Sequence, residues 1–481
     1  MSARFPRLVG FLASIGDSVV AMAPAHSAVF VDLDRTLLRG PSGPILQSAL
    51  MAEGVLAPGR ELPGDHLLYA FYERFGETTP FIALARAAAR VMRGRSAEDT
   101  RRAGKAAATQ LVDLVQPYAL EALAEHRRAG RTLVLATTTP IDLIDALAVM
   151  LGFDAVVATR YQIEDGRYTG RLDGGFVWGA GKRAAVRQWA SEQSVDLASS
   201  HAYSDSVFDV PLLTLVGHPH PLNADARLAA WALARRWPLE YWDRAPGVPS
   251  ILGLEPYHVI RPFVRAESFP YARFDVAGLD HVPPSGPVVL AANHRSYFDV
   301  AALAIVAARI GRPVRFMAKQ ELFNAPVIGR IARALGGIPV DRDAHSGAPM
   351  REAAAALRAG EVVLVLPQGT IPRGEAFFDP VLTGKTGAAR LAAETGAAIV
   401  PVGIWGTEQV WPRSSSIPNM TTVLRPPTVT VRVGAPMPVV DEDAVAATKA
   451  VMAAIVDLLP DEAKVKHMPT ADELSRTKPK R

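Results

Sequence analysis

Two pairs of side chains in this 481-residue chain have the types and spacing for chemistry. His294 and Asp299 stand in Asn293-His294-Arg295-Ser296-Tyr297-Phe298-Asp299, directly after an apolar run over residues 287–292. A carboxylate on one imidazole nitrogen fixes the tautomer and raises the basicity of the other, which can then take a proton from an alcohol. Five residues turn an ideal helix by about 500°, so the two side chains would not share a helical face. His294 therefore belongs to a turn, and Asp299 to the start of a helix with Ser296 as its N-cap, where the carboxylate can fold back to the imidazole. Taken alone, the pair is equally a helix cap beside an incidental histidine. The second pair is Asp32 and Asp34 in Ala28-Val29-Phe30-Val31-Asp32-Leu33-Asp34-Arg35-Thr36-Leu37. Alternation in an extended chain puts both carboxylates on one side, which is costly unless a cation lies between them. An oxygen-loving divalent ion such as Mg²⁺ resolves the repulsion, and an ordinary acidic turn is the plainer alternative.

Both pairs need strands to carry them. Short runs rich in Val, Leu and Ala at 28–33, 287–292, 314–318, 337–340, 362–366 and 398–404 read as buried strands alternating with helices, which makes the fold class α/β. Open sheets of that class collect ligands at the carboxyl ends of their strands, where Asp32 and His294 emerge. A largely helical insert over about 40–128 follows the first strand, with Ala-rich segments at 81–92 and 103–115, and residues 161–172, centred on Asp165-Gly166, read as a β-hairpin.

The chain is too long for a single core, and with 49% hydrophobic and 21% charged residues each part can bury one. The absence of cysteine excludes disulfides and thiolate metal sites and fits a reducing interior. A net charge of +4 suits an anionic membrane surface or phosphorylated substrates, and no basic aromatic platform points to nucleic acid. No apolar run reaches the length of a membrane span. Residues 8–23 are apolar after Arg4 and Arg7, as in a signal peptide, but Asp17 interrupts them, and an amphipathic helix within 1–27 is the preferred reading. Trp231, Trp237 and Trp242, three of the seven tryptophans, interleave with Arg235, Arg236 and Arg244. Such a segment either lies at a membrane interface or covers a seam between domains. The basic tail 461–481 is expected to be disordered.

The His294 stretch resembles the first signature of the 1-acylglycerol-3-phosphate acyltransferase family, in which Asn-His-x-x-x-x-Asp supplies the catalytic His and Asp. Three further blocks occur in the family's order: Lys319-Gln320-Glu321-Leu322-Phe323 leading to Gly336-Gly337-Ile338-Pro339-Val340-Asp341-Arg342, then Leu366-Pro367-Gln368-Gly369-Thr370, then Ile399-Val400-Pro401-Val402. The resemblance implies acyl transfer from acyl-CoA or acyl-carrier protein to the free hydroxyl of a lysophospholipid, with His294 as base and Asp299 as its partner. It implies acceptor binding by Arg342, Gln368, Gly369 and Thr370. The family's Glu-Gly-Thr-Arg-Ser reads here Gln368-Gly369-Thr370-Ile371-Pro372, so Arg373 or Lys385 would have to replace the missing arginine.

The Asp32 stretch resembles the nucleophile motif of the haloacid dehalogenase phosphatases, phosphoserine-phosphatase-like branch. Its companions are Thr137 after the run 133–136, Lys182 in Gly179-Ala180-Gly181-Lys182, and Tyr203-Ser204-Asp205-Ser206-Val207-Phe208-Asp209. The resemblance implies a Rossmann-like fold with a helical cap and the following roles. Asp32 is the nucleophile and Asp34 the acid and base; Thr137 and Lys182 hold the phosphoryl oxygens, and Asp32, Asp34, Asp205 and Asp209 form the Mg²⁺ site. The expected organisation is a phosphatase at 28–245, a linker at 246–265 and an acyltransferase at 266–460, peripheral on the cytoplasmic side of a membrane. The rival readings are an acyltransferase with a non-catalytic phosphatase-like docking module, and a phosphatase with a lipid-binding second domain.

Overall fold

The apolar run that ends at Asp32 is strand β1 (Ala28–Val31), buried along its whole length because it lies at the centre of a five-stranded sheet. The computed structural model describes residues 26–57, 88–250, 254–341, 347–437 and 443–479. The amphipathic helix expected within 1–27 falls almost wholly outside them, as does the middle of the helical insert. The first sheet comprises β1, β2 (Thr132–Pro140), β3 (Ala155–Thr159), β6 (His201–Ser204) and β7 (His218–Pro221), all parallel, in the order β3-β2-β1-β6-β7. The chain runs outward from β1 through β2 to β3 and then returns to the other side of β1, so the switch point lies between β1 and β6. The hairpin of β4 (Tyr161–Glu164) and β5 (Arg167–Leu172) turns at Asp165 and Gly166, both with positive φ, as the sequence predicts. The insert is helical where described: α1 (Gly43–Ala52), α2 (Ala97–Val112) and α3 (Ala119–Arg128). Helix α2 packs against α4 (Ile141–Met150) at Gly104, where a Cβ would stand 2.8 Å from the Asp142 carbonyl, so only glycine permits the approach.

One face of β6 and β7 carries His201, Tyr203, His218 and His220, covered by His126 of α3 and by Trp242. Arg131 donates to His126 Nδ1 (3.2 Å), which leaves Nε2–H to donate to Tyr203 Oη (2.8 Å). His220 Nδ1–H donates to Glu240 (2.6 Å), and its Nε2 accepts from His201 Nδ1–H (2.8 Å). His201 Nε2 is then buried and unprotonated with no partner. A proton placed there has no acceptor, and burial, followed by the neighbouring cationic and imidazole groups, pushes His126 down to about 4 and His201 to about 3. These rings bind protons more weakly folded than unfolded. The stabilisation from keeping them neutral is complete above pH 6.5 and is lost as pH falls toward 4. The urea midpoint is therefore expected to drop between pH 7 and 5, and less steeply in a His126→Gln variant; an unchanged slope in that variant would contradict the assignment.

The second half forms a seven-stranded sheet from β8 (Arg273–Ala277), β9 (Val288–Ala292), β10 (Val314–Lys319), β11 (Gly337–Val340), β12 (Val362–Val365), β13 (Ala398–Trp405) and β14 (Thr428–Val433). Its order is β11-β10-β12-β9-β13-β14-β8, parallel except where β14 runs against β13. The central strand β9 is buried throughout, as a strand covered on both faces must be. Strands β8 and β14, at one edge, were not among the expected elements: Arg-Phe-Asp-Val-Ala and Thr-Val-Thr-Val-Arg-Val alternate as half-covered strands do.

Residues 246–265 are not a free linker. Ala245 and Val248 are buried against the first half, and Glu255 forms a two-pronged ion pair with Arg315 (3.1 Å to each oxygen). Arg315, 1% exposed, also binds Glu361 (2.5 and 2.9 Å), which accepts from Tyr118 Oη of the first half at 2.8 Å. A cavity of about 490 Å³ lines this seam between Tyr118, Trp242 and Glu352. The two readings of the tryptophan-rich segment thus divide by residue: Trp242 is buried at the seam, whereas Trp231 is 41% exposed and stacks with Arg235. The tail expected to be disordered is ordered over 461–479 instead. Helix Ala471–Arg476 starts with a reciprocal capping box between Thr470 and Glu473, and Thr477 is buried, donating no charge but accepting from Gly374 N at 2.9 Å. Local capping and docking contacts, among them Trp405 Nε1 to Glu462 (2.5 Å) and Ser414 N to the Arg476 carbonyl (3.2 Å), outweigh the basic composition.

Candidate active sites

Parallel pairing of β1 with β6 sets Val31 beside Tyr203, so the residues that leave the two strands, Asp32 and Asp205, emerge side by side. The turn after Asp32 holds Arg35 at φ 62°, a strained value for a residue with a side chain, and brings Arg35 Nε to 3.4 Å from Asp205. Thr36 Oγ1 lies 3.1 Å from Asp205 Oδ1 and 3.5 Å from Asp32 Oδ2. Lys182, in the first turn of α5 (Ala180–Glu192) and 1% exposed, donates to Asp32 (2.8 Å) and Asp209 (2.6 Å). Ser204 donates to the same Asp209 oxygen at 2.8 Å. Asp34 accepts from the Ser42 amide (2.7 Å); burial nevertheless raises its carboxyl above the usual range, against the opposing pull of Ser42 and Lys182. Thr137 ends the regular pairing of β2 with β3, 2% exposed, and accepts from Thr139 N at 3.1 Å.

The side chains thus divide the expected metal set. Asp34 faces Ser42 and Asp209 faces Lys182, its nearest counter-charge, and among the described residues no group of three or more His, Cys, Asp or Glu stands ready around one point. Asp32 and Asp205 are the carboxylates that meet. Within this group Asp32 and Asp209 face Lys182 and Asp205 faces Arg35, while Asp34 faces Ser42, so a divalent ion held by Asp32 and Asp205 would suit both the charge and the all-oxygen donors. The arrangement offers a buried carboxylate oriented by a lysine beside a second carboxyl whose proton affinity burial raises, which is the equipment for covalent phosphoryl transfer.

In the second half, β9 delivers Asn293, whose amide bonds Ile404 on β13 in both directions (2.8 and 2.7 Å) and extends the strand pairing by a side chain. The chain then turns, and Asp299 opens helix α6 (Asp299–Ile310). Asp299 is fully buried. Its Oδ2 accepts from His294 Nδ1 (2.7 Å) and from the amides of Arg295 (2.7 Å) and Ser296 (2.9 Å), while Oδ1 accepts from Thr407 at 2.5 Å. The carboxylate is therefore satisfied before any substrate arrives, and it fixes the tautomer with Nε2 of the half-buried His294 as the free base. Ser296 Oγ accepts from Phe298 N (3.0 Å) within the turn, but the N-cap of the helix is Phe298 and not Ser296 as expected, because the turn takes up the residues between His294 and Asp299 before the helix begins.

Gln368 Oε1 accepts from the His294 amide at 2.7 Å, so the residue that departs from the family glutamate grips the backbone of the base. Gly369 follows at φ 69° in a tight turn closed by Gly369 N to Leu366 O (2.8 Å). Thr370 and Arg373 are exposed on the same loop, whose far end is braced by Thr477. Arg342 lies outside the described residues. The residues missed at the sequence level are those that hold others: Thr36, Ser204, Asn293 and Thr407. Thr36 and Asn293 lay inside the quoted motifs and could have been weighed there, whereas nothing local marks Thr407, which reaches Asp299 across 108 residues.

Comparison with known proteins finds a different family for each half of the chain. The family model for haloacid dehalogenase-like hydrolases matches residues 29–214, and that for acyltransferases matches 273–405. The chain is 30% identical over 219 residues to the inhibition of morphological differentiation protein of Streptomyces azureus, covering 44% of this chain and 78% of that one. It is 33% identical over 236 residues to the phosphoserine phosphatase SerB1 of Mycobacterium tuberculosis, covering 47% and 76%. The second half is 28% identical over 178 residues to the chloroplastic 1-acyl-sn-glycerol-3-phosphate acyltransferase LPAT1 of Arabidopsis thaliana, covering 35% of this chain and 48% of that protein.

Proposed function

Because the chain belongs to the haloacid dehalogenase-like hydrolases through its first half and carries an acyltransferase domain in its second, we propose that it is a bifunctional enzyme of phospholipid synthesis. Its second half transfers an acyl group from acyl-CoA or acyl-carrier protein to the free hydroxyl of 1-acylglycerol-3-phosphate, giving phosphatidate. The observation that carries this reading is the buried, fully satisfied Asp299 behind a half-buried His294. His294 Nε2 takes the proton of the acceptor hydroxyl as its oxygen attacks the thioester carbonyl, and returns it to the departing thiolate. Asp299 stabilises the imidazolium formed between the two steps.

In the first half, Asp32 attacks phosphorus to form an aspartyl phosphate, and Asp34 protonates the leaving oxygen and then activates water. Lys182 and Thr137 hold the phosphoryl oxygens. Bound Mg²⁺, held by Asp32 and Asp205, would neutralise charge on the transferring group. An assay with lysophosphatidate and acyl-CoA, with and without Mg²⁺, following lipid and phosphate together, tests both activities. Phosphate release from phosphatidate would support a link in which one half consumes the other's product, and strict preference for a small soluble phosphomonoester would refute that link.

Peripheral membrane association is part of the same proposal. Among the described residues no helix is long and apolar enough to cross a membrane. The segment before β8 instead exposes Val259 (53%), Ile260 (38%) and Phe263 (75%) beside a cleft of about 500 Å³ lined by His258, Arg261, Arg265 and Arg309. Apolar tips with a basic cleft suit an anionic lipid surface. Sedimentation with phosphatidylglycerol vesicles is expected to fall several-fold for Phe263→Glu and with added salt; equal sedimentation of variant and parent would contradict this.

A further inference from the structure

The turn between His294 and Asp299 is clamped by a side chain that acyl transfer itself does not use. Arg295, 9% exposed, lies between two rings, its guanidinium carbon 3.9 Å from the centroid of Trp405 and 4.3 Å from that of Phe377. Its Nη2 donates to Glu408 at 3.0 Å. A planar guanidinium presents both faces to rings and an edge to a carboxylate, which the ammonium of lysine cannot do. The backbone amide of the same residue donates to Asp299 Oδ2 at 2.7 Å, and His294 is the residue before it. Glu408 follows Thr407, whose hydroxyl holds Asp299 Oδ1, so one short helix (Thr407–Val410) grips the buried carboxylate and the guanidinium together. Fixing the Arg295 side chain therefore fixes the peptide that presents the imidazole.

Both walls of this stack are held from outside by the C-terminal segment. Trp405 Nε1 donates to Glu462 at 2.5 Å. Phe377 ends the turn Gly374–Phe377, whose first amide donates to Thr477 Oγ1 at 2.9 Å. Phe377 also packs on Phe378, with centroids 5.1 Å apart, and Phe378 packs on His467 at 5.3 Å. Ser414 N donates to the Arg476 carbonyl at 3.2 Å, and its neighbour Arg413 donates to the Ile371 carbonyl, on the loop that carries Phe377. That loop begins with Gln368, which holds the His294 amide. The segment after residue 460 thus touches the loop after β12, the end of β13 and the stretch beyond it, all of which support His294.

We propose that Arg295 is a positioning residue for the His294–Asp299 pair, and that segment 461–477 is the brace that keeps its stack closed. This rests on the acyl-transfer reading above. It makes acyl transfer depend on the C-terminal segment in a way that phosphate release by the other half does not.

Initial rates of the full chain, parent and Arg295→Leu, Arg295→Lys, Glu462→Ala and the Arg295→Leu, Glu462→Ala double variant, are measured with acyl-CoA and 1-acylglycerol-3-phosphate. Phosphate release from a small phosphomonoester and the urea midpoint are followed beside them. Misplacement of a catalytic base is expected to lower kcat about 10–100-fold in Arg295→Leu, with both KM values within about threefold and phosphate release unchanged. Arg295→Lys, which keeps the charge but not the flat faces, is expected to recover part of the loss. Glu462→Ala, at an exposed position that tolerates change, is expected to lower kcat several-fold. The double variant is expected to be no slower than Arg295→Leu, because groups that act through one contact do not add. A lowered urea midpoint with parental kcat would overturn the proposal in favour of a structural role, and a rise in either KM at parental kcat in favour of a binding one. Losses that multiply in the double variant, or parental kcat in Glu462→Ala, would overturn the brace. A parent chain with no acyl transfer would overturn the acyl-transfer reading itself, an outcome recognised from the parent alone.

Discussion

Exchange of His294 for alanine is expected to lower acyl transfer by about 10²–10⁴-fold, the range for removal of a positioned general base. Hydrolysis of a supplied phosphomonoester by the other half should be unchanged. The variant should fold, because Asp299 keeps the Arg295 and Ser296 amides and the Thr407 hydroxyl when the imidazole is gone. Initial rates with saturating acyl-CoA, beside the urea midpoint, separate lost chemistry from lost structure. Retention of parental acyl transfer would leave the second half as a lipid-binding module.

Asp32→Asn is expected to abolish phosphate release, by about 10⁴-fold or more, as loss of a covalent nucleophile does. The amide keeps the shape of the carboxylate, and Lys182 keeps its 2.6 Å contact with Asp209, so the cluster is not left with an unpaired buried cation. Acyl transfer should persist in this variant. If the parent releases no phosphate from any phosphomonoester while Asp32→Asn alters lipid synthesis, the first half is a docking module instead.

The chemistry of this chain was more legible than its assembly. Asp32, Asp34 and His294 sit at strand ends because short Val- and Leu-rich runs can only be buried strands, and what leaves such a strand at its carboxyl end is exposed to a ligand. The pairing of His294 with Asp299 followed from spacing and from a helix that starts at Asp299, both local rules. Tertiary contacts decided the rest. Thr407 and Arg413 reach their partners from beyond β13 with no periodicity to announce them. The supposed linker is anchored because Glu255 meets Arg315, a contact between segments 60 residues apart. The tail is ordered by a capping box and by tertiary contacts through Thr477, Arg476 and Glu462, which a reading by charge overlooks.

The most direct test of two independent centres uses one preparation and two products. Parent, His294→Ala and Asp32→Asn proteins are incubated with Mg²⁺, acyl-CoA and 1-acylglycerol-3-phosphate, and separately with a small phosphomonoester, and acylated lipid and free phosphate are measured. Loss of acylated lipid alone in His294→Ala and of phosphate alone in Asp32→Asn is the predicted result. Loss of both products in either variant, or of neither in both, would contradict it.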